Sequence, residues 1–242
     1  MQYEALLESK AASWGAVPGT CYIVPTPLGN LGDFSYRALV ILKTVQLIAA
    51  EDTRVTQTLL KLFEIRTPIC SYRDENERPM TEKLIQKLKE GLSVALVSDA
   101  GTPTISDPGY RLIKACRDEG LPVVPLPGPC ALITALSGSG MATDRFFFGG
   151  FLPPKTHGRC QWFLEHQDDD CTVIVYESCH RILASLEDAL KILGPDRRIA
   201  IARELTKKHE TFYTGALQSI LEQIALTPLK GEYVLIIGRK TQ

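Results

Sequence analysis

Aliphatic and β-branched runs of four to six residues recur along this chain, each followed by a longer stretch of helical period, and that alternation permits few architectures. It describes strands buried on both faces and joined by crossover helices, an α/β fold built on mainly parallel or mixed sheets. The runs predict strands at 21–25, 45–50, 69–72, 94–98, 123–126, 146–150, 172–176, 198–202 and 233–238. The segments between them predict helices at 34–43, 53–63, 81–90, 108–119, 131–137, 158–166, 181–193 and 217–224. Asp107 followed by Pro108 reads as a carboxylate cap before a proline suited to a first helical turn, so a helix is expected to start there.

At 242 residues the chain is long enough for two modest cores. Glycine and proline concentrate around Gly138-Ser139-Gly140 and again at 149–154, and a second series of strands begins there. The expected organisation is a loosely held leader over 1–19, a first α/β domain over 20–143 and a second over 144–242.

Lys and Arg total 27 against 28 Asp and Glu, so RNA or DNA contact has to rest on a local patch. Seven cysteines without a CxxC pair fit free thiols in a reducing cytoplasm. The four histidines, His157, His166, His180 and His209, show no ligand spacing, so no metal site is expected. No apolar stretch reaches the ~20 residues of a membrane span, and the amino terminus lacks a signal-peptide layout.

Four predicted strands run into acids: 45–50 into Glu51-Asp52, 94–98 into Asp99, 172–176 into Glu177 and 198–202 into Arg203-Glu204. Ligands of open α/β sheets bind beyond the carboxyl ends of strands, and a rim of carboxylates there suits a cationic or amine-bearing ligand. Capping of the next helix accounts equally well for any one of them.

Residues 98–109, Ser-Asp-Ala-Gly-Thr-Pro-Thr-Ile-Ser-Asp-Pro-Gly, form the strongest local feature, a stiff loop able to bring its backbone close to a ligand. It has no lysine and no GxGxxG pattern, which disfavours nucleotide phosphates. Similar Gly/Pro loops follow the first strand, at 25–33, and the fifth, at 125–129. In the second half, the stretches 176–181 and 203–210 set basic side chains beyond strand ends, as a phosphate-holding rim or as a solvated charged face.

Taken in order, Tyr22–Leu31, Ala50-Glu51-Asp52-Thr53-Arg54, the 98–109 loop, Pro125-Leu126-Pro127-Gly128-Pro129, Gly150-Phe151-Leu152-Pro153, Tyr176-Glu177-Ser178 with His180-Arg181, and Ala202-Arg203-Glu204-Leu205-Thr206-Lys207 resemble the 16S rRNA cytidine-2′-O-methyltransferases of the tetrapyrrole-methylase superfold. The resemblance runs from about Tyr22 to Gly238. It implies two α/β domains with S-adenosylmethionine in the cleft between them, a homodimer, and a cytidine ribose of 16S rRNA in the assembled small subunit as acceptor. At the cofactor it implies Pro25, Leu28, Asp99, Gly101, Thr102 and Ile105, with Pro129, Ala131 and Leu152 on the other side and Lys230-Gly231-Glu232 closing over the adenosine. The chain departs from that pattern in its leader before Gly19 and in ending at Arg239–Gln242, where many relatives continue into a helical segment that would bear on RNA affinity.

A ribose hydroxyl is a weak nucleophile, so a base or a polarising charge is expected beside it. Glu51, Asp52, Glu177 and Glu204 are candidate bases, Arg54, Arg181, Arg203 and Lys207 candidate phosphate holders or polarisers, and Lys207 a base as well if burial lowers its pKa. The rival readings are C-methylation of a tetrapyrrole on the same superfold and a non-catalytic ribosome-binding module.

Overall fold

The computed structural model describes residues 12–240, and the chain divides into two compact units, 1–130 and 131–242. Most of the expected leader, residues 1–11, lies outside the described residues. Residues 12–19 are tied down: the Ala16 and Val17 amides donate to Thr44 Oγ1 and the Tyr22 hydroxyl, and Trp14 meets Tyr36 edge-on.

In the first unit, β1 (Cys21–Ile23), β2 (Leu47–Ala50), β3 (Ile69–Ser71), β4 (Val94–Val97) and β5 (Val123–Pro125) form one parallel sheet in the order β3-β2-β4-β1-β5. Alternate strand residues feed two cores. Tyr22, Val24, Ile48, Ala50, Ala95 and Val97 pack with α1 (Tyr36–Thr44) and α2 (Thr53–Leu62). Cys21, Ala49, Val94 and Leu96 pack with α3 (Glu77–Lys89) and α4 (Tyr110–Asp118). Helices therefore cover both faces, and the near-continuous apolar strands follow from burial on both sides. The chain leaves β1 toward β2 and leaves β4 toward β5, in opposite directions along the sheet, so the switch point lies between the adjacent strands β1 and β4.

Two of the helix starts that differ from expectation have a clear local cause. α3 begins at Glu77, ahead of Pro79, because a proline in the first turn gives up an amide with no helical partner. α4 begins at Tyr110, not Pro108, and Asp107 caps nothing: Gly109 takes the cap position at φ 134°, where a Cβ would meet Leu96 Cδ2 at 2.5 Å.

The second unit opens with α5 (Ala131–Gly138), which lies against β7 and β10. The division after Cys130 thus falls ahead of the 143/144 boundary expected from the glycines. Its sheet is mixed, in the order β6-β7-β10-β8-β9, with only β6 and β7 parallel. The strands are β6 (Phe146–Phe151), β7 (Thr172–Ser178), β8 (Arg198–Arg203), β9 (Thr211–Ala216) and β10 (Glu232–Ile237). Val173, Val175, Ile199, Ile201, Leu235 and Ile237 face a core closed by α6 (Thr156–His166), α7 (Ile182–Leu193) and α8 (Leu217–Ala225). β9 was not expected: a polar edge strand with a glycine near its end, Thr-Phe-Tyr-Thr-Gly-Ala, carries no continuous apolar run.

Candidate functional site

The switch point of the parallel sheet is where the Gly/Pro loops meet. Thr26 and Gly101 exchange backbone hydrogen bonds of 2.9 and 3.0 Å, and Thr26 Oγ1 donates to the Ser98 carbonyl at 3.1 Å. Thr102 Oγ1 donates to the Pro129 carbonyl at 2.8 Å. Gly101, at φ 87°, would place a Cβ 3.2 Å from Leu28 Cδ2, while Gly128 would drive one into Pro25 at 2.6 Å. The loops at 25–33, 98–109 and 125–129 are one interlocked rim, and Pro25, Leu28, Gly101, Thr102 and Pro129 meet in it. Ile105 lies further along the same loop, partly exposed, its amide reaching the Thr102 carbonyl.

The middle loop is held in unusual backbone geometry. Besides Gly101 and Gly109, Thr104 and Ser106 take φ of 77° and 64°. A β-branched residue there is strained, and such strain persists where surrounding structure over-determines it, commonly at binding sites.

The acids of β2 and β4 lock together. Asp52 N donates to Asp99 Oδ1 at 3.1 Å, and Asp99 N donates to Glu51 Oε2 at 3.2 Å. Asp52 also caps α2 through the Arg54 amide and holds the Arg54 side chain, which keeps its carboxyl well below the usual range. Burial pushes Glu51 and Asp99 up, with neighbouring carboxylates adding to both. Asp107, read from sequence as a cap, belongs to this cluster. Burial and the charges of Glu51, Asp99 and Asp74 push it up to about 7, against a pull from the Ser98 hydroxyl, which lies close without meeting hydrogen-bond geometry. The glycine after Asp-Pro was the available signal, since it forces the turn that delays the helix.

Among the second-unit candidates, Glu177 is saturated. Its side chain is fully buried and accepts from the Ser178 amide, Arg181 Nε and Ser185 Oγ, which leaves it no room to act as a base. Arg181 is held by the same carboxylate at 2.8 Å. Leu152 is buried, its amide on the Tyr176 carbonyl at 3.4 Å, and the Leu132 amide beside Ala131 donates to the Tyr176 hydroxyl.

Arg203, Glu204 and Lys207 form a second constellation. Lys207 Nζ bridges Glu204 Oε1 at 2.9 Å and Glu232 Oε2 at 3.0 Å, and Arg203 Nε donates to the Lys230 carbonyl with its guanidinium over the Tyr233 ring. Burial pulls Lys207 down, but the two carboxylates outweigh it and leave its pKa raised, so Lys207 is an ammonium and not a neutral base. The Lys207 hydrogen bond in turn holds Glu204 down. Glu204 and Thr206 sit at φ of 52° and 66°, and a Cβ on Gly231 would collide with the Glu204 carboxylate at 2.5 Å. Tyr233, missed in sequence as an ordinary core strand residue, is buried here, its hydroxyl without a hydrogen-bond partner among the described residues.

The rim fits S-adenosylmethionine by its chemistry. It combines carboxylates for a sulfonium and an amine with close backbone approach at Gly101, and Arg54 is already committed to Asp52. A family model described as Tetrapyrrole (Corrin/Porphyrin) Methylases matches residues 20–221. The chain is 50% identical over 227 residues to a protein of Escherichia coli O157:H7 named Ribosomal RNA small subunit methyltransferase I, covering 93% of this chain and 79% of that one. Among solved structures, the cobalt precorrin-4 methyltransferase of cobalamin biosynthesis matches with a TM-score of 0.64 at 12% identity, over 93% of this chain and 96% of that one. A uroporphyrin-III C-methyltransferase from Thermus thermophilus complexed with S-adenyl homocysteine matches with a TM-score of 0.58 at 16% identity, over 92% and 98%. At those identities the structures share the fold.

Proposed function

Because this chain belongs to the tetrapyrrole methylase family and is half identical to a small-subunit rRNA methyltransferase over nearly its whole length, we propose that it methylates small-subunit rRNA with S-adenosylmethionine, at the 2′-hydroxyl of a cytidine. The observation that carries this reading is that identity, which extends over 93% of this chain. The cofactor supplies the methyl group. Pro25, Leu28, Asp99, Gly101, Thr102, Ile105 and Pro129 of the first unit hold and orient it. A stiff rim loses little entropy on binding, and most of the acceleration comes from holding the ribose oxygen in line and excluding water.

Glu51, whose pKa burial raises, is better matched to receiving the ribose proton than Asp52 or Glu204, whose cationic partners hold their pKa values down. Arg203 and Lys207 serve as cations toward the RNA backbone. The test is mass mapping of methylated nucleosides after incubating the protein with unmodified small subunits. A 2′-O-methylcytidine in the small-subunit rRNA is expected. Methylation of a tetrapyrrole with none on RNA refutes the reading.

The acceptor in this reading is 16S rRNA within assembled small subunits in the cytoplasm, and the enzyme is a homodimer. The edge strand β6 exposes Phe146, Phe147 and Phe151, an apolar edge that a self-complementary contact would cover. Sedimentation at micromolar concentration is expected to give a dimer, and a monomer there removes this part of the proposal.

A further inference from the structure

Most of α2 does what its sequence period demands: Thr56 and Leu60 face the core. A second stripe runs beside them. Val55, Leu59 and Leu62 recur at i, i+4 and i+7, on one face of the helix, and Val55 and Leu62 are 44% and 62% exposed. Leu31 of the first Gly/Pro loop is similarly uncovered at 49%. These side chains wall a cavity of about 370 Å³ whose remaining lining includes Pro27, Gly29, Ser98 and Asp99.

The chemistry of that cavity is selective. Its walls are aliphatic apart from Thr56 and Thr58, and its polar end holds the Asp99 carboxylate and the buried Ser98 hydroxyl, which has no hydrogen-bond partner and no lysine or arginine beside it among the described residues. A phosphate finds no counter-charge there. A flat, uncharged ring with an amine on its edge finds both apolar faces and an acceptor, and the volume lies in the range of small-ligand pockets. Enzymes that act on a nucleotide within folded RNA or DNA hold its base in this way, between apolar side chains with its pairing edge on polar groups.

We propose that the cavity between α2 and the first Gly/Pro loop is the base pocket of the target nucleotide, in which Asp99 accepts a hydrogen bond from the exocyclic amine of cytosine. The inference rests on the rRNA methylation proposed above. An adenine ring presents similar edge chemistry, but of the first-unit residues assigned to the cofactor only Asp99 lines the cavity, while Pro25, Leu28, Gly101, Thr102, Ile105 and Pro129 do not, so the base is placed on the α2 side of Asp99 and the cofactor on the other. The pocket also supplies a reason for base choice. A carboxylate accepts from the N4 amine of cytosine and meets only an oxygen at the equivalent position of uracil.

The experiment uses the full chain and unmodified small subunits. Val55→Trp and Leu62→Trp fill the cavity from exposed positions and are expected to lower kcat/KM for subunits at least tenfold, with the Kd for S-adenosylmethionine, by calorimetry, within twofold of the parent and Tm nearly unchanged. Unchanged kcat/KM in both filled variants overturns the proposal, and a parallel loss of cofactor affinity assigns the pocket to the adenine instead. In a second arm, subunits carrying uridine at the methylated position are compared with cytidine subunits at saturating cofactor, so that any cofactor defect cancels in the ratio. The parent enzyme is expected to prefer cytidine tenfold or more, and Asp99→Asn, whose amide can also donate, to lose most of that preference. A parent ratio near one, or a preference intact in Asp99→Asn, overturns the acceptor role. If the parent enzyme methylates no subunit at all, the rRNA reading fails along with the pocket, whereas every other adverse outcome removes the pocket alone.

Discussion

Ionising Asp107 brings another negative charge to a rim that already holds Glu51 and Asp99, and the fold resists it. The sign follows from proton binding: with a native pKa of about 7 against an ordinary value of 3.8, the native state holds a proton that the unfolded chain has released. Stability therefore falls as pH rises from about 4 to about 7, and the full penalty is present above that. Asp107→Asn is expected to gain Tm relative to the parent between pH 5 and pH 8, on the order of 2 °C given the group's partial exposure, in scanning calorimetry at both pH values. A constant difference between the two pH values removes Asp107 from the cluster. On the same rim, Asp99→Ala and Gly101→Val are expected to cripple S-adenosylmethionine binding, the first by removing a charged acceptor and the second by forcing branched carbon onto Leu28 at φ 87°. Titration calorimetry reads both, and parent-like affinity in either reassigns the loop. Asp99 and Glu51 were legible in sequence because each ends an apolar run. Asp107 was not, because an Asp-Pro pair before a helix has the same local signature as a cap, and only burial among three other acids reveals the difference.

Between α6 and α7 the second unit buries a charge pair with no counterpart in the sequence reading. Arg159 donates to Asp188 at 2.8 and 3.1 Å and also to the Pro154 carbonyl and Thr156 Oγ1, with both side chains under 5% exposed. Lys191 also reaches Asp188, at 2.9 Å, so the costly loss is that of the carboxylate: it leaves the buried Arg159 guanidinium without its counter-charge, at about 3–5 kcal/mol, whereas the pair itself contributes far less. Asp188→Ala is expected to lower Tm by about 10 °C while leaving the Kd for cofactor unchanged at 20 °C, as a thermal melt and a titration on one preparation would show. Parent-like stability would mean that water reaches the site. Elements with a strong period were readable to within two residues at each end, α1, α2, α7 and α8 among them, since one apolar stripe against a sheet fixes both the helix and its face. β9 was not, because an edge strand needs little apolar surface. Nor was the second stripe of α2 distinguishable from an ordinary wide core face, as sequence gives the period of a helix and not what covers it.

Near-neutral overall charge limits what the molecule can gain from RNA at long range. Arg54, Arg181 and Lys207 are engaged by carboxylates and Arg203 by a carbonyl, whereas Lys208 beside Lys207 is exposed without such a partner among the described residues. Affinity for protein-free rRNA should be weak and steeply salt-dependent, and methylation of assembled small subunits should exceed that of naked 16S rRNA by tenfold or more, measured as label transferred from S-adenosylmethionine. Equal rates on the two substrates would show that the subunit's architecture contributes nothing.

The position of β10 has a further consequence, for the order in which the protein comes into being. The first unit's sheet is complete once β5 has been made, so that half can close while the remainder is still being synthesised. The second sheet has its latest strand, Glu232–Ile237, in the middle, paired on one side to β7 and on the other to β8. Until that strand arrives, β6-β7 and β8-β9 are two separate ribbons with open edges, and neither covers the core they will share. The second unit's sheet is thus completed from the outside inward, its central strand a keystone that pairs only after both flanking ribbons have been synthesised.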